Sequence, residues 1–193
     1  MREILKMIVV LTLISGISGF ALSSLKEMTA PTIELQLLTF VQGPSLKQVL
    51  PDYTNDPVKE RKKFTNPLTS KLVNVFPLKV DGQLKAVAIE GFGGGYGDNI
   101  GVMVGFDLEN NKLVGIGITT MKETPGIGSR IAEPEFLDLF PGLSEAEARL
   151  KSQGGVIDAL SGATISSTGA VVAVQDAGKI YSALKEEILQ AFK

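Results

Sequence analysis

From Met7 to Leu25 the chain carries no charged residue, and that run dictates its own local structure. In hydrocarbon every backbone N–H and C=O needs an internal partner, so the stretch is expected to form one membrane-spanning helix. Ser15, Gly16, Ser18 and Gly19 lower its hydropathy but suit close packing against other transmembrane helices. Arg2 and Lys6 precede the run, whereas Lys26 after it is offset by Glu27. The positive-inside rule therefore puts the N-terminus in the cytoplasm and the rest of the chain on the other side. A cleaved signal peptide is the competing reading, because a basic start, an apolar core and small residues from Ala21 to Ser24 fit that pattern too. The helical pattern continues past Ser24 until Pro31, expected to stop it, and this favours a retained anchor.

Beyond the anchor, the remainder of the 193 residues fits one globular domain, and 44% hydrophobic residues can fill its core. Residues 1–28 read as the anchor, 29–67 as a proline-punctuated linker and lead-in, and 68–193 as the main domain. Within the lead-in, Leu46 to Leu50 reads as a helical turn and Pro51 to Pro57 as an irregular connection. Arg61-Lys62-Lys63 is a solvated loop or the start of a strand. Alternation then predicts strands over Leu72–Val80, Leu84–Phe92, Ile100–Leu108 and Lys112–Met121. Turns at Asp81-Gly82 and Glu109-Asn110-Asn111 make about four antiparallel strands. Helices are expected at Glu135–Phe140, after a capping box formed by Ser144 and Glu147 and ending at Gly154-Gly155, and from about Ser167 to Phe192. The expected fold is α+β: an antiparallel β-sheet with packed helices, preceded by one N-terminal transmembrane helix.

The chain has no cysteine and no histidine. Thiolate or imidazole ligation of zinc, iron–sulfur clusters and haem is thereby removed, as is Cys-His and Ser-His catalysis. An electron-carrying role would need an organic cofactor such as a flavin, which brings its own chemistry and asks the protein for placement and electrostatics. The formal net charge is −2, and no long basic stretch is interleaved with aromatics, which argues against nucleic-acid binding.

Three segments carry chemistry. In Asp158-Ala159-Leu160-Ser161-Gly162-Ala163-Thr164, Gly162 and Ala163 offer little bulk, so a planar ligand or a modifying enzyme can approach the backbone and reach the Thr164 hydroxyl. Asp158 could hold a metal ion or orient a phosphate. The same residues also read as a turn followed by a helix capped by Ser166, Ser167 or Thr168. Gly91-Phe92-Gly93-Gly94-Gly95-Tyr96-Gly97 could cradle a phosphate with successive N–H groups or be a wide hairpin loop. In Glu123-Thr124-Pro125-Gly126-Ile127-Gly128, Pro125-Gly126 fits the centre of a type II turn, and Gly128 allows another unusual backbone angle. That turn could present Thr124 to the edge of an aromatic ring system while Ile127 covers a face.

Taken along the chain, the glycine-tyrosine-glycine segment, the Glu123–Gly128 turn and Asp158–Thr164 occur in the order seen in the FMN-binding domain family, which they resemble, and the chain looks like the G subunit of Rnf electron-transport complexes. The C subunit of the sodium-pumping NADH:quinone reductase is a close relative with the same single span and domain. The similarity covers roughly Met7 to Phe192. It implies that a dedicated flavin transferase links FMN through its phosphate to Thr164, with Asp158 in the recognised signature and Ser161, Gly162 and Ala163 shaping the attachment turn. Glu123, Thr124, Pro125, Gly126, Ile127 and Gly128 would line the flavin. Relatives often carry a histidine where this chain has Met121, so a proton role for histidine there is not carried over. Lys122 and Arg130 are candidates for stabilising reduced flavin, with surface ion pairing as the alternative.

The resemblance further implies an electron carrier that is not catalytic by itself. Its partners would be the other membrane and peripheral subunits of a ferredoxin:NAD oxidoreductase coupled to sodium or proton translocation. The span holds no ionisable residue, so any ion path belongs to those partners. Two rival readings remain: a noncatalytic membrane-anchored assembly module, and a sensor or extracytoplasmic reductase built on the same domain.

Overall fold

A computed structural model describes residues 1–192, and the chain divides into two compact units, Met1–Thr39 and Phe40–Lys193. The first unit is essentially one helix, α1 (Arg2–Leu37), with no buried side chain. It is the one helix among the described residues that is long and apolar enough to cross a membrane, and it fits a single-pass membrane protein. Its uncharged part reaches about 28 Å at 1.5 Å per residue, one hydrocarbon thickness. Pro31, expected to end the helix, lies inside it. A proline removes one hydrogen bond and crowds one carbonyl, and a helix already nucleated over many turns can absorb that local loss. A π-helical turn, Leu38–Gln42, follows.

The second unit is a three-layer sandwich. Five strands form an antiparallel meander in the order β1 (Lys62–Thr65), β2 (Leu72–Val80), β3 (Gln83–Gly94), β4 (Asn99–Asp107) and β5 (Leu113–Thr120). The Asp81-Gly82 turn has φ of 50° and 79°, the left-handed pair that a tight two-residue hairpin requires. Four of the strands lie where alternation places them. The fifth, β1, has no such signal: three of its four side chains are exposed and two are lysines, as suits an edge strand that must not recruit another chain. It pairs with β2 only as far as Val75, so Pro77 sits where no donor is needed on that side. There the side chain of Asn55 takes over the ladder. Its Nδ2 donates to the Pro77 carbonyl at 2.9 Å, and its Oδ1 accepts from the Lys79 N–H at 2.9 Å.

Helix α5 (Thr164–Ala191) covers one sheet face and α2 (Gly43–Val49) the other, while α3 (Pro57–Glu60) and α4 (Pro134–Leu137) are single turns. Both coverings rest on glycine. A Cβ at Gly93 would stand 2.1 Å from the Gly169 carbonyl oxygen, and one at Gly115 would stand 2.4 Å from that of Val49. Between the sheet and α5 lie Val87, Ile89, Val102, Val104, Val171, Val174 and Leu184. Phe106 stacks on Tyr181 with ring centroids 4.4 Å apart.

The helix expected at Glu135–Phe140 is only the single turn α4, which ends at Leu137, and two further helix boundaries differ from expectation. The capping box forms, with the Ser144 N–H donating to Glu147 at 2.8 Å and the Glu147 N–H to Ser144 Oγ at 3.4 Å. No helix follows it, only a turn and a short 3-10 segment, Lys151–Gln153. Ile157 pairs with Leu150 and its N–H donates to the Arg149 carbonyl, so the chain doubles back and claims groups a helix would have used. Helix α5 starts at Thr164, three residues before Ser167, with Ala163 as N-cap and no side-chain cap. The Ser167 hydroxyl instead donates to the Ala163 carbonyl and accepts from the Leu160 N–H.

Candidate functional site

A cleft of about 450 Å³ opens where the segment after β5 meets the first turn of α5, within the roughly 300–1,000 Å³ usual for small-molecule sites. Glu123, Thr124, Ile127 and Gly128 from the first segment line it together with Gly162 to Ser166 from the second, and with Tyr96. Tyr96, Ile165 and Ile127 are 71%, 54% and 49% exposed, so the rim is apolar and open to solvent.

Two turns hold these segments. The Ile127 N–H donates to the Thr124 carbonyl at 3.2 Å, and Gly126 has φ of 73°, the type II arrangement expected of Pro125-Gly126. The Ser129 hydroxyl braces it by accepting from the Gly126 N–H at 2.9 Å. In the second segment the Ala163 N–H donates to the Leu160 carbonyl at 2.9 Å across Ser161-Gly162, with Gly162 at φ 78°. A side chain at Gly162 would be strained there. This turn delivers the chain directly into α5, so Thr164 is its first residue and is exposed. The first N–H groups of a helix have no acceptor within it and carry the positive end of the dipole. The Thr164 hydroxyl thus sits at a position suited to an attached phosphate.

Glu123, expected to line a flavin, does face the cleft, but it is 8% exposed and binds protein. Its Oε1 accepts from the N–H groups of Tyr96 and Gly97 at 3.0 and 3.1 Å, and its Oε2 accepts from the Ser166 hydroxyl. The glycine-rich segment therefore cradles this carboxylate. It is also no wide loop: β3 runs to Gly94 and β4 begins at Asn99. A Cβ at Gly95 would lie 2.4 Å from Glu123 Oε1, and one at Gly97 would lie 2.0 Å from the Lys122 carbonyl oxygen. Gly128 lacks the unusual backbone angle expected of it, since its φ is not positive. It is small because a Cβ there would come within 2.5 Å of Ser166 Oγ and 2.8 Å of Glu123 Oε2.

The other named residues lie outside the cleft lining. Asp158 is exposed and paired with Lys151 at 2.7 Å, and the described residues contain no cluster of acidic side chains able to hold a metal ion. Ser161, Pro125 and Gly126 build the turns rather than the walls. Lys122 pairs with Asp98 at 2.7 Å, which lowers the Asp98 pKa and raises that of the lysine through their hydrogen bond. Arg130 pairs with Glu135 at 3.2 Å. Met121 lines a neighbouring groove with Phe92 and Ile118. Among the lining residues, Ile165 and Ser166 lie outside the three segments singled out in the sequence, and Tyr96 lies in the glycine-rich one without having been named as a site residue. An exposed aromatic between two glycines is the available signal for Tyr96; Ser166 needs the true start of α5.

The pattern of the FMN-binding domain family matches residues 95–179, which include both turns and all of the cleft. The G subunit of the ion-translocating oxidoreductase complex of Methanosarcina acetivorans is 30% identical over 185 residues, covering 94% of this chain and 96% of the relative. Its Pectobacterium atrosepticum counterpart is 32% identical over 173 residues, covering 83% and 82%. Among solved structures, the C subunit of the Na⁺-translocating NADH-quinone reductase of Parabacteroides distasonis superposes with a TM-score of 0.51 at 26% identity over 66% of each chain. With near end-to-end similarity to such relatives and an FMN-binding domain around the cleft, this chain belongs to the family of G subunits of ion-translocating oxidoreductase complexes.

Proposed function

We propose that the chain is the flavoprotein subunit of an Rnf-type ferredoxin:NAD oxidoreductase coupled to sodium or proton translocation, with FMN bonded by a phosphoester to Thr164. The observation that carries this reading is the exposed Thr164 at the first residue of a 28-residue helix, lining one cleft together with Glu123, Thr124, Ile127 and Gly128. The residues fit the group: free first-turn N–H groups of α5 for the phosphate, and Tyr96, Ile127 and Ile165 for an apolar ring system. When bound, FMN supplies electron transfer. The chain contributes attachment, placement and field, and depends on other subunits for donor, acceptor and ion path, so it is not independently catalytic.

The charge asymmetry around α1 supports an anchor with a cytoplasmic N-terminus and the domain on the extracytoplasmic face. A dissociable flavin would be diluted away on that side, whereas a bonded one does not depend on free cofactor concentration. A flavin transferase is required for maturation. The C subunit of a sodium-pumping quinone reductase is the second reading, favoured by the shared fold; identity to G-subunit relatives over most of the chain supports the first. In membranes containing the assembled complex, Thr164→Val is expected to abolish ferredoxin-dependent NAD reduction while leaving the stoichiometry of the subunits unchanged. Undiminished turnover in the variant complex contradicts the proposal.

A further inference from the structure

We infer that Glu123 sets the midpoint potential of the flavin by placing an uncompensated negative charge in the wall of the cleft. This rests on the proposal that FMN occupies the cleft from Thr164. Glu123 is the sole acidic side chain among the lining residues, and no lysine or arginine lines the cleft with it. The two nearest cations in sequence are turned to other partners, Lys122 to Asp98 and Arg130 to Glu135. What holds the buried carboxylate is a set of neutral donors: two backbone N–H groups and the Ser166 hydroxyl, all donating to it. Dipoles of this kind make burial of the charge tolerable without cancelling its field. Glu123 is only 8% exposed, so its field is screened less than that of a surface charge, and it disfavours the added negative charge of a reduced flavin. Glu123 thus biases the cofactor toward giving electrons up.

The geometry also separates charge from scaffolding. Glu123→Gln keeps the size and an oxygen acceptor for the Tyr96 and Gly97 N–H groups, while its amide can donate to Ser166 Oγ. Ser166→Ala keeps the charge and removes one of the three donors that temper it. The two variants are therefore expected to move the potential in opposite directions. Wild type, Glu123→Gln and Ser166→Ala would be produced full-length in membranes with the flavin transferase, purified in detergent, weighed intact to establish FMN loading, and titrated potentiometrically by flavin absorbance. Expected is an upward shift in Glu123→Gln of at least tenfold in the reduced-to-oxidised ratio at fixed potential, 59 mV for a one-electron couple, and a downward shift in Ser166→Ala. Loaded variants with unchanged potentials, or with shifts of the same sign, overturn the inference. If Glu123→Gln does not accumulate, Ser166→Ala alone decides: a lower potential supports the inference and an unchanged one overturns it. A wild-type chain without the FMN increment overturns instead the reading on which the inference rests.

Discussion

Replacing Thr164 by valine is expected to remove every trace of the proposed covalent flavin, so that the chain's band in a denaturing gel, expected to fluoresce in wild type under ultraviolet light, goes dark. The loss should be complete because valine keeps the shape of threonine and lacks the hydroxyl oxygen that the proposed ester requires. Folding should be unaffected: Thr164 is exposed at the first turn of α5, where such a change costs within about 0.5 kcal/mol. Ser166→Ala is expected to stay fluorescent, since the Ser166 hydroxyl is buried and donates to Glu123. A band that keeps its fluorescence in Thr164→Val moves the attachment elsewhere and removes the reason for the cleft's shape.

The second large effect is on stability. Gly93→Ala brings a Cβ to 2.1 Å from the Gly169 carbonyl oxygen and 2.8 Å from the Ala173 nitrogen, both backbone atoms of α5. No side chain can rotate away to make room, so the helix must lift from the sheet. Overpacking usually costs about 1–3 kcal/mol, and contact with backbone places this case at or above about 3 kcal/mol. That is a large share of the roughly 5–15 kcal/mol that holds a domain together. Gly94→Ala supplies the control one residue away, because a Cβ there meets nothing within 4 Å and should change stability by no more than about 0.5 kcal/mol. Thermal unfolding of the full chain in detergent separates the two. Equal midpoints for both variants would show that α5 does not depend on glycine to reach the sheet. Because Thr164 begins α5, a lifted helix should also weaken flavin attachment in Gly93→Ala.

What is legible in the sequence follows from which forces are local. Strands β2 to β5 announce themselves as runs rich in apolar and β-branched residues, because the sheet is covered on both faces and their centres are buried on both sides, and the Asp81-Gly82 and Pro125-Gly126 turns because positive φ is a property of a few residues wherever they stand. The lysine-rich β1 stays open in the sequence between a solvated loop and the start of a strand, since an edge strand gains its structure from its neighbour's ladder rather than from its own side chains. Gly91 to Gly97 looks like a flexible loop, yet Gly93 serves the approach of α5, and Gly95 and Gly97 the approach of the Glu123 segment. Both partners lie far away in sequence. The start of α5 reads three residues late because Ser166 and Ser167 are good N-caps by type, while their hydroxyls are used on Glu123 and on the Leu160–Ala163 turn. Of the candidate site, Thr164 with its small neighbours and the Glu123 turn are readable as motifs. That they line one cleft, and that Asp158 turns away to Lys151, depends on tertiary contacts no short motif contains.

The central claim is a covalent bond at one hydroxyl, and the intact mass of the mature chain tests it most directly. Produced in membranes together with the flavin transferase, the wild-type protein should weigh one FMN less one water more than its translated sequence, with the increment mapping by fragmentation to Thr164. A chain weighing no more than its bare translation under those conditions contradicts the account.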